Sequence, residues 1–193
     1  MTTRRDLLLA GLSLSLLASC GPPPEAPAYP DIRFNNETPI ELDASRIEIS
    51  DQYQPSGNET SFPVTPLQAL QNWAHDRLRA GGQGNPALFT IINASATTKD
   101  LPVKGGIGNA FTDQLSQEYA VSVDATLSIL DAHGMPIRTV HVTASRSHSV
   151  LQSASANDRA KARYDLVKAL MAAFDQQMGQ QIRDNFGFYL LSR

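Results

Sequence analysis

Cysteine is almost missing from this chain: Cys20 is the only one in 193 residues. A disulfide framework needs cysteine pairs and a thiolate-rich zinc site needs several, so both are excluded. Basic surplus is missing too. Sixteen Lys and Arg face 19 Asp and Glu, for a net charge of −3, which excludes a strongly basic nucleic-acid-binding surface. No Lys/Arg cluster suits electrostatic attachment to an anionic membrane. Long apolar runs are absent as well. The run from Leu7 to Leu17 is softened by Gly11, Ser13 and Ser15, and it falls short of the roughly 20 residues a spanning helix needs. Charged residues elsewhere are scattered with alternating sign, as on a solvated surface.

What is present begins with the surroundings of that one thiol. Arg4 and Arg5 give a positive start, Leu7–Leu17 an apolar segment, and Ala18 and Ser19 two small residues, the three parts of a secretory signal. Leu17-Ala18-Ser19-Cys20 resembles the lipobox of bacterial lipoproteins. The resemblance implies cleavage between Ser19 and Cys20 and acylation of the Cys20 thiol, with several chains and therefore firm membrane attachment. Thr3-Arg4-Arg5-Asp6-Leu7-Leu8 also resembles a twin-arginine export signal, while an ordinary positive start reads the same residues equally well. Gly21 follows the cysteine where no Asp stands. By resemblance to lipoprotein sorting, this implies the outer membrane, facing the periplasm, with the outer leaflet of the inner membrane as the alternative.

Three regions follow: a signal over 1–19, a lipidated cysteine and proline-rich tether over 20–38, and one domain over 39–193. Gly21 to Pro30 carries five prolines. At about 3.1 Å per residue in polyproline II, it would hold the domain roughly 30 Å from the lipid. Pro39 to Tyr53 reads as a first strand broken near Asp43-Ala44. Thr65-Pro66-Leu67-Gln68 is a capping box with proline at the first helical position. Leu67, Leu70, Ala74 and Leu78 continue at helical spacing, with Trp73 at the border of the stripe and Gly81-Gly82 as the stop. Leu88 to Ala96 is apolar or small on both faces and reads as an inner strand. Glu118 to Leu130 is the third strand, where Tyr119, Val121, Val123, Ala125, Leu127 and Ile129 alternate with Ser122, Asp124, Thr126 and Ser128. Asp131-Ala132-His133-Gly134 is a hairpin loop, and Ile137 to Val150 returns as the fourth strand. Ser155 and Asp158 have capping-box spacing and open a helix to about Asp184 whose stripe includes Tyr164, Val167, Met171, Phe174, Met178 and Ile182.

These elements predict an α+β fold: a four-stranded sheet with two helices packed on one face, in the order β-α-β-β-β-α. That order, the anchor, and a long hairpin followed by a long helix resemble the accessory lipoproteins of LPS assembly and of ABC transport. The resemblance implies a non-enzymatic accessory of an envelope assembly or lipid-transport machine, with an envelope protein as partner. A module binding a lipid or amphipathic ligand is the alternative, with Met171, Phe174 and Met178 lining the pocket or simply filling the core.

No catalytic residue and no cofactor is expected. The mature chain has no Gly-x-Ser-x-Gly elbow. Lys104-Gly105-Gly106-Ile107-Gly108-Asn109 lacks both the third glycine of a dinucleotide fingerprint, since Phe111 stands there, and the Gly-Lys-Ser/Thr of a phosphate loop. His75, His133, His141 and His148 have no metal-site spacing, and the odd separation of His141 and His148 puts them on opposite strand faces. Arg146 and His148 stand out because they share a strand face with Val140, Val142, Ala144 and Val150. A charge in that apolar series must lie beyond the helix-covered core or find a partner. The pair is therefore a candidate contact for an anionic head group or a protein partner, set against a plain solvated strand end. Oligomeric state is not fixed by these patterns.

Overall fold

The computed structural model describes residues 28–102 and 113–191. Its strands and helices run β1 (Ile40–Leu42), β2 (Ile47–Asp51), α1 (Pro66–Arg77), β3 (Leu78–Ala80), β4 (Ala87–Asp100), β5 (Leu115–Leu130), β6 (Pro136–Leu151) and α2 (Ala156–Asn185). The main sheet has the order β2-β4-β5-β6, with β2 parallel to β4 and the other pairs antiparallel. The fold is α+β.

Local chemistry explains both helix starts. The Thr65 hydroxyl accepts from the Gln68 N–H at 3.1 Å, and Pro66 sits at a position with no intrahelical acceptor to lose. Ser155 and Asp158 form a reciprocal box: the Ser155 hydroxyl accepts from the Asp158 N–H, and the Asp158 carboxylate accepts from the Ser155 N–H, both at 3.2 Å. In β5 every second residue from Tyr119 to Ile129 is buried. That face meets the helices, because Trp73 of α1 packs against Phe89 of β4 (5.4 Å) and edge-on to Phe174 of α2 (5.1 Å). Trp73 is thus at the centre of the core, fully buried, and not at the border of a stripe. Met171, Phe174 and Met178 are also fully buried in this layer. The opposite sheet face is rich in hydroxyls, as where Ser128 and Thr139 bond across β5 and β6 at 2.8 Å.

The stretch expected as one first strand is two strands in two sheets. β1 pairs in parallel with β3, apart from the main sheet that β2 joins. Between them the Asp43 N–H turns to the Tyr189 carbonyl (2.8 Å) and the Ser45 N–H to Gly84 (3.2 Å), so the backbone leaves the period-two path. α1 also ends earlier than its spacing suggests. Leu78 is already extended, at φ −95° and ψ 131°, and serves β3 and not the helical stripe. The glycines after it have a different task. A Cβ on Gly82 would lie 2.8 Å from the Asp43 Cα, and one on Gly84 would overlap the Asp43 carbonyl, so the β1–β2 corner needs both hydrogens.

Residues 31–34, within the stretch assigned to the tether, pack along α1. Arg33 forms a two-pronged ion pair with Asp76 (2.8 and 2.5 Å), and the Phe34 N–H donates to the same carboxylate at 2.8 Å. Ile32 and Phe34 are buried. At the far side of α1, Leu42 bridges to Leu190 and the Leu191 N–H donates to the Glu41 carbonyl at 3.0 Å, which ties residues 41–43 to 189–191.

Candidate functional site

β6 explains where Arg146 and His148 stand. Val140, Val142 and Ala144 are buried under α2, whereas Arg146 and His148, on the same face, are exposed, and Val150 is buried again. In the ladder Arg146 lies opposite Val121 and His148 opposite Tyr119. Here a surface cavity of about 450 Å³ separates strand from helix. Arg146, Ser147 and His148 form one wall, and Asp158, Lys161, Asp165, Leu166 and Ala169 much of the other.

The charges around this cavity differ in how they are held. Lys161 pairs with Asp165, whose hydrogen bond and negative charge hold the amine above its ordinary pKa. Asp158 is held below the usual carboxylate range by the Ser155 hydroxyl and N–H. Arg146 donates to the Ser145 carbonyl at 3.0 Å and has no carboxylate in ion-pair range among the described residues. Toward the far end of β6, Arg159 spends its guanidinium on neutral acceptors, including Gln117 Oε1 (2.7 Å) and the carbonyls of Ala154 (3.0 Å) and Gln152 (3.1 Å). Arg163 stacks over the Tyr119 ring at 5.3 Å, and its buried Nε has no partner among the described residues. The cavity lining is therefore of mixed charge, Arg146, His148 and Lys161 against Asp158 and Asp165, and its one guanidinium, Arg146, is free of fixed counter-charge. It carries no activated nucleophile, and its capacity is to bind an anionic or hydrogen-bond-accepting group.

Sequence reasoning singled out Arg146 and His148, which the structure places on one cavity wall, but passed over Arg159, Lys161 and Arg163. The available signal was the i, i+4 spacing of Arg159 and Arg163 just before the buried stripe that begins at Leu166. Cys20, Ser19, Arg4, Arg5 and the glycine-rich stretch 104–109 lie outside the described residues. Near the start of the described residues is Tyr29, whose ring packs on Tyr164 of α2 at 5.0 Å and whose hydroxyl donates to the Asn157 carbonyl at 3.5 Å. The chain thus joins the domain at the end of α2 that borders the cavity. His141 lies on the other sheet face, 2.5 Å from Asp124, as the odd spacing requires. Among the described residues no group of three or more His, Cys, Asp or Glu could hold a metal ion. No described helix is long and apolar enough to cross a membrane.

The most strongly perturbed ionisable pair lies elsewhere, under the turn at Asn58–Ser61. Burial pushes the Glu59 carboxyl up, but hydrogen bonds from the Tyr53 hydroxyl, the backbone and Ser56 outweigh it and bring it down to about 2. Burial, followed by the Glu59 hydrogen bond, pushes Tyr53 up to about 12. A carboxyl whose folded pKa is depressed contributes stability above its unfolded value, near 4.5, and loses it as pH falls toward the folded value. Stability should therefore decline between about pH 4.5 and 2. Urea unfolding across that range should show a shallower decline in Glu59→Gln. Asp76, also held low, chiefly by Arg33, contributes in the same direction.

No protein-family model and no curated protein matches the sequence. Among solved structures, the chain is similar to a minor lipoprotein from Acinetobacter baumannii, at 18% identity and a TM-score of 0.40 over 73% of this chain and 92% of that one. It is similar also to rare lipoprotein B from Shewanella oneidensis, at 8% identity and a TM-score of 0.34 over 70% of this chain and 98% of that one.

Proposed function

We propose that this chain is a lipid-anchored, non-enzymatic envelope protein, cleaved after Ser19 and acylated on Cys20. Its domain would serve as an accessory to an envelope assembly or lipid-transport machine. The observation that carries the reading is the single thiol of the chain, set directly behind Leu17-Ala18-Ser19 and an apolar segment too short to span a bilayer. The fold adds a spatial argument. Tyr29 is nine positions after Cys20, so at no more than about 3.6 Å per residue the anchor would lie within roughly 32 Å of Tyr29, which packs at the N-terminal end of α2. The cavity holding Arg146 and His148 borders that end, so its cations would lie within reach of the membrane surface. They would receive an anionic group there, from an envelope partner or a lipid head group.

Expression in a Gram-negative host, followed by membrane fractionation and intact-mass measurement, tests the anchor. The wild type should sediment with membranes at the mass of the cleaved, multiply acylated chain, whereas Cys20→Ser should remain uncleaved and unacylated. A processed wild-type protein in the soluble fraction, with its thiol free, would refute the proposal.

A lipid- or ligand-binding module is the second reading, favoured by the mixed lining of the same cavity, where Leu166 and Ala169 adjoin Lys161. Met171, Phe174 and Met178 would not form its pocket, because they fill the core between helices and sheet.

A further inference from the structure

β6 ends the main sheet. It is 16 residues long, it pairs with β5 on one side, and among the described residues no strand pairs with the other. A strand of that length leaves a row of backbone N–H and C=O groups available to another chain. The edge is also recessed. At one end it shares the 450 Å³ cavity of Arg146 and His148 with the first half of α2. Further along, the stretch His141–Thr143 and the helix residues Gln176, Gln177, Gln180 and Gln181 line a second cavity of about 560 Å³. Strand and helix thus form the two walls of a groove along the free edge; the helix wall carries the Lys161–Asp165 ion pair, the capping Asp158 and small side chains at the first cavity, and four glutamine amides at the second.

The charge pattern says what the groove accepts. β6 carries Arg138, His141, Arg146 and His148 and no carboxylate at all. Arg138 and Arg146 lie on the helix-facing side, eight positions apart, with Val140, Val142 and Ala144 between them. Neither arginine has an ion pair among the described residues. A second copy of β6 would set basic side chains beside basic side chains, which opposes self-pairing. We propose that this edge binds an extended acidic segment of a partner protein as a fifth strand. That segment would place carboxylates opposite Arg138 and Arg146 and apolar residues between them on the helix-facing side. Backbone hydrogen bonds would supply the affinity and the alternating side chains the specificity. The proposal gives a partner to the Arg146 side of the functional reading above, but it does not depend on acylation of Cys20.

The probe is a synthetic peptide, Glu-Thr-Val-Thr-Val-Thr-Val-Thr-Glu, with a second peptide bearing Lys at both ends as control. The readout is amide hydrogen exchange of the full-length protein in detergent. The acidic peptide should slow exchange across 136–151 by about tenfold and the lysine peptide should not, since opposite charges across a strand pair attract and like charges repel. Arg138→Glu combined with Arg146→Glu should reverse the preference. Both side chains are exposed, so the variant keeps the fold, and its binding of the lysine peptide reports that directly. Failure of the acidic peptide to protect these residues, equal protection by both peptides, or a peptide-free dimer that buries β6 would each overturn the proposal.

Discussion

Asp175→Ala should lower the unfolding free energy by about 3–5 kcal/mol, the cost of leaving a buried charge without its partner. One oxygen of Asp175 accepts from Arg77 Nε at 2.7 Å and from the Trp73 indole N–H at 2.8 Å. Arg77 is 7% exposed, and its other fixed contact is to the neutral Thr38 carbonyl. Removing the carboxylate therefore leaves a guanidinium and an indole donor inside the protein with too few acceptors. Domains of this kind hold about 5–15 kcal/mol in all, so the loss should appear as a large fall in urea midpoint at unchanged slope. The double variant Arg77→Met/Asp175→Leu should recover much of it, because it leaves no isolated charge. If Asp175→Ala and the double variant unfold at the same urea concentration, the stranded charge is not the cause.

Trp73→Ala should cost a similar amount, about 3–5 kcal/mol, for a different reason. The indole is fully buried and joins three layers: Phe89 of the sheet, its own helix, and Phe174 of α2. Alanine would leave a void that neither ring can fill without moving backbone. Trp73→Phe keeps most of the packing but gives up the hydrogen bond to Asp175, and it should lie between wild type and alanine. Circular dichroism must follow these variants, because this is the only tryptophan in the chain. For the wild type the same fact is useful, since intrinsic tryptophan fluorescence reports the α1–α2 seam alone. Combined with Asp175→Ala, the Trp73 change should be less than additive, because both remove the same bond.

The features that sequence made legible were those set by neighbours along the chain. Thr65-Pro66 and Ser155/Asp158 cap their helices with atoms three residues away, and the alternation from Tyr119 to Ile129 states which face of β5 is buried. Features that depend on distant partners were not legible. Leu78 fits the helical stripe of α1 in spacing, yet its backbone is extended to pair with Ile40. Ile40 and Ile47 look like one strand until Gly84 and Tyr189 claim the backbone between them. At the candidate site, the face shared by Arg146 and His148 follows from period two. Lys161 and Arg163 became visible there only once α2 was laid across β6, because no pattern within the helix says which of its charges look toward a particular strand.

The clasp between residues 41–43 and 189–191 bears on how the polypeptide reaches this shape. Among the described residues β1 takes its backbone partners from β3 and that late segment, so this early strand cannot be completed until the chain has been synthesised through residue 191. Closing so wide a loop comes late in assembly and slows it. Until residues 189–191 have emerged, a growing chain therefore leaves β1 half-clasped and open to capture by a chaperone or a translocation channel.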